Sequence, residues 1–360
     1  MKKVLIHNPI LTNYDAQFLK KIIERSPLNI IVCSDNENNA YGLSNGEIPD
    51  NNSRQINYRT IFGISASIKL LTLIFIERPD IVVLSGNPRD ITIYICLITC
   101  RILRIKALTH GMFHKIGGET YLSKICYFLV YLLSYRVGTY SARGREVLIA
   151  LGCPQYKIMN IGTADQKVGY QKFNRKASRV SDLLIINHIM RVSEFKKTEL
   201  LFYYFDYLKK KNINFQINMI HGGDGLEKFK SHHLYKEFTN NIIWHEPTYS
   251  TSVLAKLYSD AHITLVPHCI GLTLYQSINY ETPVFTCNTE QYQASEFATY
   301  KEMFPFLISK PHNHKEVAEQ IYLFCTDPNY RNKIQERVKV ISMFDYFEHK
   351  VGNYERFLQS

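Results

Sequence analysis

The sequence predicts an α/β protein made of two doubly wound parallel-sheet domains facing a cleft. Three observations predict it. Short apolar runs alternate with longer amphipathic ones, the rhythm of parallel strands joined by helices. The rhythm stops once, in a polar and basic stretch near the middle, and then restarts. The length, 360 residues, suits about two domains.

In chain order, residues 4–6 read as a strand and 15–25 as a helix with Phe18, Ile22 and Ile23 on one side. A second strand covers 29–33. Residues 35–55 are polar and rich in Asn, so they read as a long loop. Helix 62–76, strand 81–84, helix 91–104, strand 106–109, helix 122–135 and strand 137–140 follow. Helix 143–151 stops at Gly152-Cys153-Pro154, a glycine and then a proline that end helical geometry. Strand 157–161 closes a first domain, residues 1–165, and a basic linker spans 166–181. The second domain, 182–343, has strands at 183–187, 215–220, 242–244, 263–266 and 284–287. Its helices fall at 197–211, 250–260, 272–280 and near 313–326 and 329–342, and a short one follows the glycine turn at 221–225. Residues 344–358 read as a terminal helix within the last segment, 344–360.

Hydrophobic residues make up 46% and charged residues 21%, which excludes disorder, collagen and coiled coil. Basic residues number 43 against 32 acidic ones, for a net charge of +11. Residues 1–165 hold 19 basic and 12 acidic side chains, 166–181 hold 5 and none, and 182–360 hold 19 and 20. Positive charge therefore gathers in the first half and the linker, where it suits phosphates of nucleic acid, anionic lipid or a phosphorylated substrate. Nucleic acid is not favoured, since no RNP, zinc-finger or basic-helix pattern organises the 25 tyrosines. The 8 cysteines are scattered without a C-x-x-C pair and read as buried thiols of a reducing compartment. The N-terminus lacks the apolar core of a signal peptide. The longest apolar stretches, 91–100 and 125–133, are shorter than the roughly 20 residues of a spanning helix. Residues 122–135 are apolar nearly all round, with Lys115, Lys124 and Arg136 beside them: either a buried domain helix or one that docks on a membrane.

In open α/β sheets ligands bind beyond the carboxyl ends of the strands, so residues just after each strand are the candidates. Thr109-His110-Gly111 places at a strand end a histidine able to bind phosphate or a sugar hydroxyl or to move a proton; it also fits a satisfied loop histidine. Arg191 with Lys196 and Lys197, in a loop opening a helix, suits a diphosphate clamp or solvated surface charge. Gly223-Asp224-Gly225 is a tight turn that any strand-to-helix junction can use. His268, Gly271, Leu272, Thr273 and Gln276 lie between a strand and a helix, where a backbone can approach a ligand and Gln276 can bind a hydroxyl. Gln291, Gln293 and Glu296 are further hydroxyl-binding candidates, or an exposed polar loop. No P-loop, G-x-G-x-x-G, H-E-x-x-H, serine triad or deaminase motif occurs.

Arg191 with Lys196/Lys197, Gly223-Asp224-Gly225, Ala261…Val266-Pro267…Gly271-Leu272 and Pro283-Val284 together resemble, over about 110 residues, the C-terminal domain of GT-B glycosyltransferases of the retaining family 4 type. His7-Asn8-Pro9, Thr109-His110-Gly111, Tyr140-Ser141, Asn160-Ile161-Gly162-Thr163 and Ser295-Glu296-Phe297 resemble a branch of these enzymes from polysaccharide gene clusters. The resemblance implies GT-B architecture, an acceptor-side first domain, a nucleotide-sugar-binding second domain, and a terminal helix crossing back to the first. It implies sugar transfer with retention from a nucleotide sugar to a lipid-linked or glycan acceptor, in capsule, O-antigen or exopolysaccharide synthesis. Arg191, Lys196 and Lys197 would hold the donor diphosphate, aided by backbone near Gly271, Leu272 and Thr273; Gly223 would shape the donor loop; Trp244, His245 and Glu246 would lie near the base. His110 would face the transferred sugar. The acidic pair usual in family 4 is replaced by His268 and Gln276, and Glu296 stands in as the carboxylate, making His110 and Glu296 the catalytic candidates. No metal or resident cofactor is implied, the nucleotide sugar being a substrate. The implied setting is cytoplasmic, peripheral at the inner face of the cell membrane on an anionic surface. Other readings are a catalytically impaired GT-B partner protein, a nucleotide-sugar epimerase or a polyol-phosphate transferase.

Overall fold

The first strand, β1 (Lys3–His7), buries Val4, Leu5 and Ile6 almost completely, as a central strand covered on both faces must. Thr12 then caps α1 (Asn13–Arg25), its hydroxyl oxygen accepting the Asp15 N–H at 3.4 Å. In this computed structural model the described residues are 1–35, 46–61, 64–165, 180, 182–248 and 250–360. The first unit continues with β2 (Asn29–Ser34), β3 (Ser53–Gln55), β4 (Arg59–Ile61), β5 (Ile64–Ala66), α2 (Ile68–Glu77), β6 (Ile81–Ser85) and α3 (Ile91–Ile102). It ends with β7 (Lys106–Gly111), α4 (Tyr121–Leu133), β8 (Arg136–Thr139), α5 (Ala142–Ala150) and β9 (Ile158–Asn160). Seven strands form one parallel sheet in the order β3-β2-β1-β6-β7-β8-β9.

The second unit has β10 (Leu184–His188), α6 (Leu201–Lys210), β11 (Phe215–Ile220), α7 (Leu226–Ser231), α8 (Tyr235–Phe238), β12 (Ile242–His245), α9 (Thr251–Asp260) and β13 (Ile263–Val266). It closes with α10 (Thr273–Asn279), β14 (Val284–Thr286), α11 (Glu296–Met303), α12 (His314–Thr326) and α13 (Pro328–Ser342). Its five strands are parallel in the order β12-β11-β10-β13-β14. The core under this sheet holds Phe202, Phe205, Phe285 and Phe324, all at most 1% exposed. The last helix, α14 (Tyr346–Gln359), belongs with the first unit: the chain divides into Met1–Gln166 plus Phe347–Ser360, and Lys167–Tyr346. Its Phe347 and Tyr354 meet the Phe18 ring edge-on, with centroids 6.3 and 5.1 Å away.

Three elements depart from the sequence expectation. The end of the expected loop 35–55 is β3, a polar edge strand paired with Val32–Ser34 through Ser53, Arg54 and Gln55; no apolar alternation announces it because little of it is buried. Residues 64–66 are not helical but pair antiparallel with 59–61, and α2 starts at Ile68. Glu296 and Phe297, at the end of a stretch that also fitted an exposed polar loop, open α11 (Glu296–Met303), which buries Phe297, Tyr300 and Met303 at helical spacing. The linker 166–181, apart from Val180, and residues 36–45 of the loop 35–55 lie outside the described residues. Among the described residues no helix is long and apolar enough to cross a membrane.

In each sheet the strand order reverses direction beside one strand, β1 in the first and β10 in the second. The carboxyl ends at those two reversals carry His7 and His188.

Candidate active site

In the second unit the chain after β10 folds back on the glycine turn that follows β11. Val192 N–H donates to the Gly222 carbonyl at 3.0 Å, and Gly225 N–H donates to the Val192 carbonyl at 3.1 Å. Gly223 sits at φ 112°, and a Cβ there would run into the Val192 carbonyl, so only glycine lets the two loops meet. The glycine turn thus seats the basic loop.

That seating presents three cations. Arg191 and Lys197 are exposed, while Lys196 is half-buried. The Lys196 ammonium lies 3.8 Å from Met190 Sδ and 4.0 Å from where a Cβ of Gly271 would stand. A Cβ at Gly271 would make only ordinary van der Waals contact with the ammonium, so the two loops lie side by side here. Burial lowers the Lys196 pKa, the neighbouring Cys269 and Glu296 oppose that shift, and Arg191 adds to it. Glu296, 7% exposed at the start of α11, is the carboxylate of this group. Lys196 thus has one cation, Arg191, and one buried carboxylate, Glu296, as charged neighbours, a set able to bind an anion with hydroxyl groups attached.

The loop after β13 is held by one side chain. Gln293 accepts from Ile270 N–H at 3.0 Å and donates to the carbonyls of His268 and Cys287, both at 2.6 Å. Its amide is therefore spent on backbone and is not open to a ligand, which corrects its reading as a hydroxyl-binding residue. The stapled loop presents His268, 3% exposed, against the Tyr292 ring, which also has the Lys197 ammonium 5.8 Å from its centroid. Neither His268 ring nitrogen has a hydrogen-bond partner among the described residues, and burial first, then Lys197, pulls its pKa down to about 4. His188, fully buried, donates from Nδ1 to the Leu265 carbonyl at 2.9 Å, leaving Nε2 as an unpartnered lone pair; its pKa also falls to about 4, chiefly through burial. Sequence reasoning missed His188, although it follows a strand directly, the position the sheet rule singles out.

Other candidates are engaged elsewhere in the second unit. Trp244 packs edge-on against Phe229 and His221 at the end of the edge strand β12. His245 Nε2 donates to Asn218 Oδ1 at 3.0 Å, and Asn218 donates to Asn187 at 2.9 Å, a polar chain inside the sheet. Glu246 is exposed. Gln276 accepts from the Tyr258 hydroxyl at 3.2 Å. Leu272 and Thr273 open α10, whose Leu274 N–H bonds the Gly271 carbonyl at 2.9 Å.

The first unit builds a second polar group at its own strand ends. Tyr58 donates to Asp90 Oδ2 at 2.6 Å, so its oxygen must accept from His7 Nε2–H, also at 2.6 Å. That fixes the His7 tautomer and leaves Nδ1 a buried lone pair with no partner among the described residues. Asp90 is held by its second task, capping α3 through the Thr92 N–H at 3.0 Å. His110 Nδ1 lies 2.8 Å from the Tyr140 hydroxyl, its ring meets Tyr354 of α14 edge-on, and its Nε2 is buried with no partner among the described residues. Burial holds the pKa of His7 near 3 and that of His110 near 4; a protonated His110 would further oppose a charge on His7, and Lys350 opposes one on His110. Both imidazoles are neutral at physiological pH.

Residues 170–340 match the model of the family described as glycosyl transferases group 1. Among curated proteins no sequence matches. In solved structures the chain is similar to Anabaena HepE in complex with UDP and glucose, at 14% identity and a TM-score of 0.69 over 100% of both chains. It is similar to an S. aureus TarM variant in complex with Fondaparinux, alpha-GlcNAc-glycerol and UDP, at 10% identity and 0.68 over 100% of both. It is also similar to the lipopolysaccharide outer core galactosyltransferase WaaB in its apo form, at 12% identity and 0.64 over 99% of this chain and 100% of that one. At such identities the likeness establishes the fold, GT-B, with its two parallel-sheet α/β units. With that fold, and with residues 170–340 matching the group 1 glycosyl transferase model, the chain is a glycosyltransferase.

Proposed function

We propose that the chain transfers a sugar, with retention at the anomeric carbon, from a nucleoside-diphosphate sugar to a lipid-linked or glycan acceptor of a surface polysaccharide. The enzyme would be of the family 4 type and work at an anionic membrane face on the cytoplasmic side. The observation that carries the reading is Lys196: a half-buried ammonium next to Gly271, with Arg191 and Glu296 as charged neighbours. A diphosphate there gains fixed positive charge that need not reorganise as the sugar–oxygen bond breaks, so the leaving group is stabilised without a proton donor. Glu296 suits a sugar hydroxyl, and His268 and His188 offer neutral nitrogens in the same loops. In the first unit His110 Nε2 suits a hydroxyl of the transferred sugar. The neighbours in complex with UDP make uridine the first base to try.

The test is turnover with a panel of nucleotide sugars and a short lipid-linked glycan. Release of a nucleoside diphosphate with a matching new glycoside supports the reading. Release of a nucleoside monophosphate would point to phosphoryl-polyol transfer, and loss of donor without a new glycoside to epimerisation. A folded protein that consumes no donor would favour the partner-protein alternative.

A further inference from the structure

We propose that the first unit carries a docking site for an anionic phospholipid surface at the starting edge of β7 and β8, with lipid phosphates in a cationic pocket and the apolar stripes of α3 and α4 in the bilayer interface. This rests on the membrane-face setting proposed above and gives it an address. The pocket has a volume of about 550 Å³ and is lined by Arg101, Arg104, Lys106, Arg136 and Lys157, with no acidic side chain in its lining. Two of these cations have work of their own. Lys157 donates to the Ser134 carbonyl at 3.0 Å at the end of α4, and Lys106 lies over the Tyr135 ring, 4.8 Å from its centroid. The guanidinium groups of Arg101, Arg104 and Arg136 have no ion pair or hydrogen bond to any described residue.

The second observation is apolar and independent of the charge. On α3, Ile91, Ile95, Ile98 and Ile102 are 49, 45, 48 and 74% exposed, at spacings that put all four on one stripe. On α4, Leu122, Ile125, Leu129 and Leu132 are 70, 39, 39 and 46% exposed, again on one stripe. The helices pack side by side, and each stripe ends at the pocket: Leu132 of α4 lines it, and so does Arg101, next to Ile102 of α3. Scattered apolar side chains on a surface need no explanation, but two adjacent stripes do. A bilayer interface takes apolar stripes and basic groups together. A second copy would explain the stripes but gives no reason for five cations without an acidic side chain beside them. A free phosphate would leave the stripes unexplained.

Flotation of the full chain with phosphatidylcholine vesicles, with and without phosphatidylglycerol and with no donor added, tests the site. Phosphatidylglycerol should raise binding by at least about ten-fold, and high salt should remove most of the gain. An Arg101→Glu/Arg104→Glu/Arg136→Glu variant should lose the gain. An Ile98→Ser/Ile102→Ser/Leu129→Ser variant should weaken binding to both vesicle types, and millimolar glycerol phosphate should not displace the wild type. Thermal melting of each variant guards against misfolding, and single charge reversals, each expected to lose part of the gain, replace a triple variant that fails to fold. The proposal is overturned if wild type binds both vesicles equally, or if the charge-reversed protein floats like wild type. Complete displacement by glycerol phosphate would assign the pocket to a soluble phosphate instead. Self-association abolished in the serine variant, without vesicle binding, would assign the stripes to a second copy. UDP titration of the same proteins separates the two readings: UDP binding without flotation ends this inference alone, and flotation without UDP binding ends the donor reading alone.

Discussion

The two units share one topology and differ in where they put charge. In the second, the cations Arg191, Lys196 and Lys197 stand beyond the carboxyl end of β10, and the residues just before its five strands are Leu183, Asn214, Asn241, His262 and Pro283. In the first, the carboxyl ends hold neutral His7 and His110, while Lys106 and Arg136 begin β7 and β8 and Lys157 directly precedes β9. A doubly wound sheet offers ligand-binding loops at one edge whatever its sequence. The placement of a few lysines and arginines then decides which edge draws phosphate and which is left for neutral, hydrogen-bonding chemistry.

Breaking this contrast should be most visible at Gly223. Gly223→Val forces a β-branched residue into left-handed backbone, a strain of about 1–3 kcal/mol before any clash with Val192 is counted. Diphosphate binding should vanish in titration while vesicle flotation, a property of the first unit, survives; loss of both would mean that the whole chain had unfolded. Next in size, Lys196→Ala or Arg191→Ala should weaken diphosphate binding by about 1.5–3 kcal/mol, the scale of a charged hydrogen bond. His110→Ala should lower turnover more than donor binding, measured by kinetics beside titration; equal losses would make the histidine structural.

The units should respond alike to acid. His7 and His110 in one, and His188 and His268 in the other, are neutral when folded, with pKa values near 3, 4, 4 and 4, but titrate near 6.5 when unfolded. The unfolded state therefore binds more protons between those values. Stability is complete above pH 6.5 and falls as pH drops toward 4, by about 1.4 kcal/mol per pH unit for each histidine. Melting curves across that range should flatten in His268→Asn and His110→Asn variants; an unchanged slope would mean those rings are charged in the fold. The smallest effect belongs to Tyr58→Phe, which removes the link between Asp90 and His7 and should cost about 0.5–1.5 kcal/mol of stability without touching diphosphate binding.

The frame was legible in the sequence because apolar runs such as Val4-Leu5-Ile6 and Ile263–Val266 are buried on both faces and show it in composition. The Arg191/Lys196 loop was legible because it directly follows a strand. β3 was not, since an edge strand of Ser, Arg and Gln carries no apolar pattern. α11 was missed for a weaker reason: Phe297, Tyr300 and Met303 do keep helical spacing, but polar neighbours outnumber them. The long-range pairings were out of reach. Gln293 reaches back to His268, and Tyr58 joins His7 to Asp90, across separations that no local pattern encodes.

The most direct test of the central claim is a calorimetric titration of the folded wild type, Arg191→Ala and Lys196→Ala with UDP, and with GDP, CDP, ADP and TDP alongside. One diphosphate should bind wild type and lose at least about ten-fold in each variant, the lower end of a charged contact. Equal binding by all three proteins, or no diphosphate binding to wild type, would contradict the assignment of this loop as the donor site.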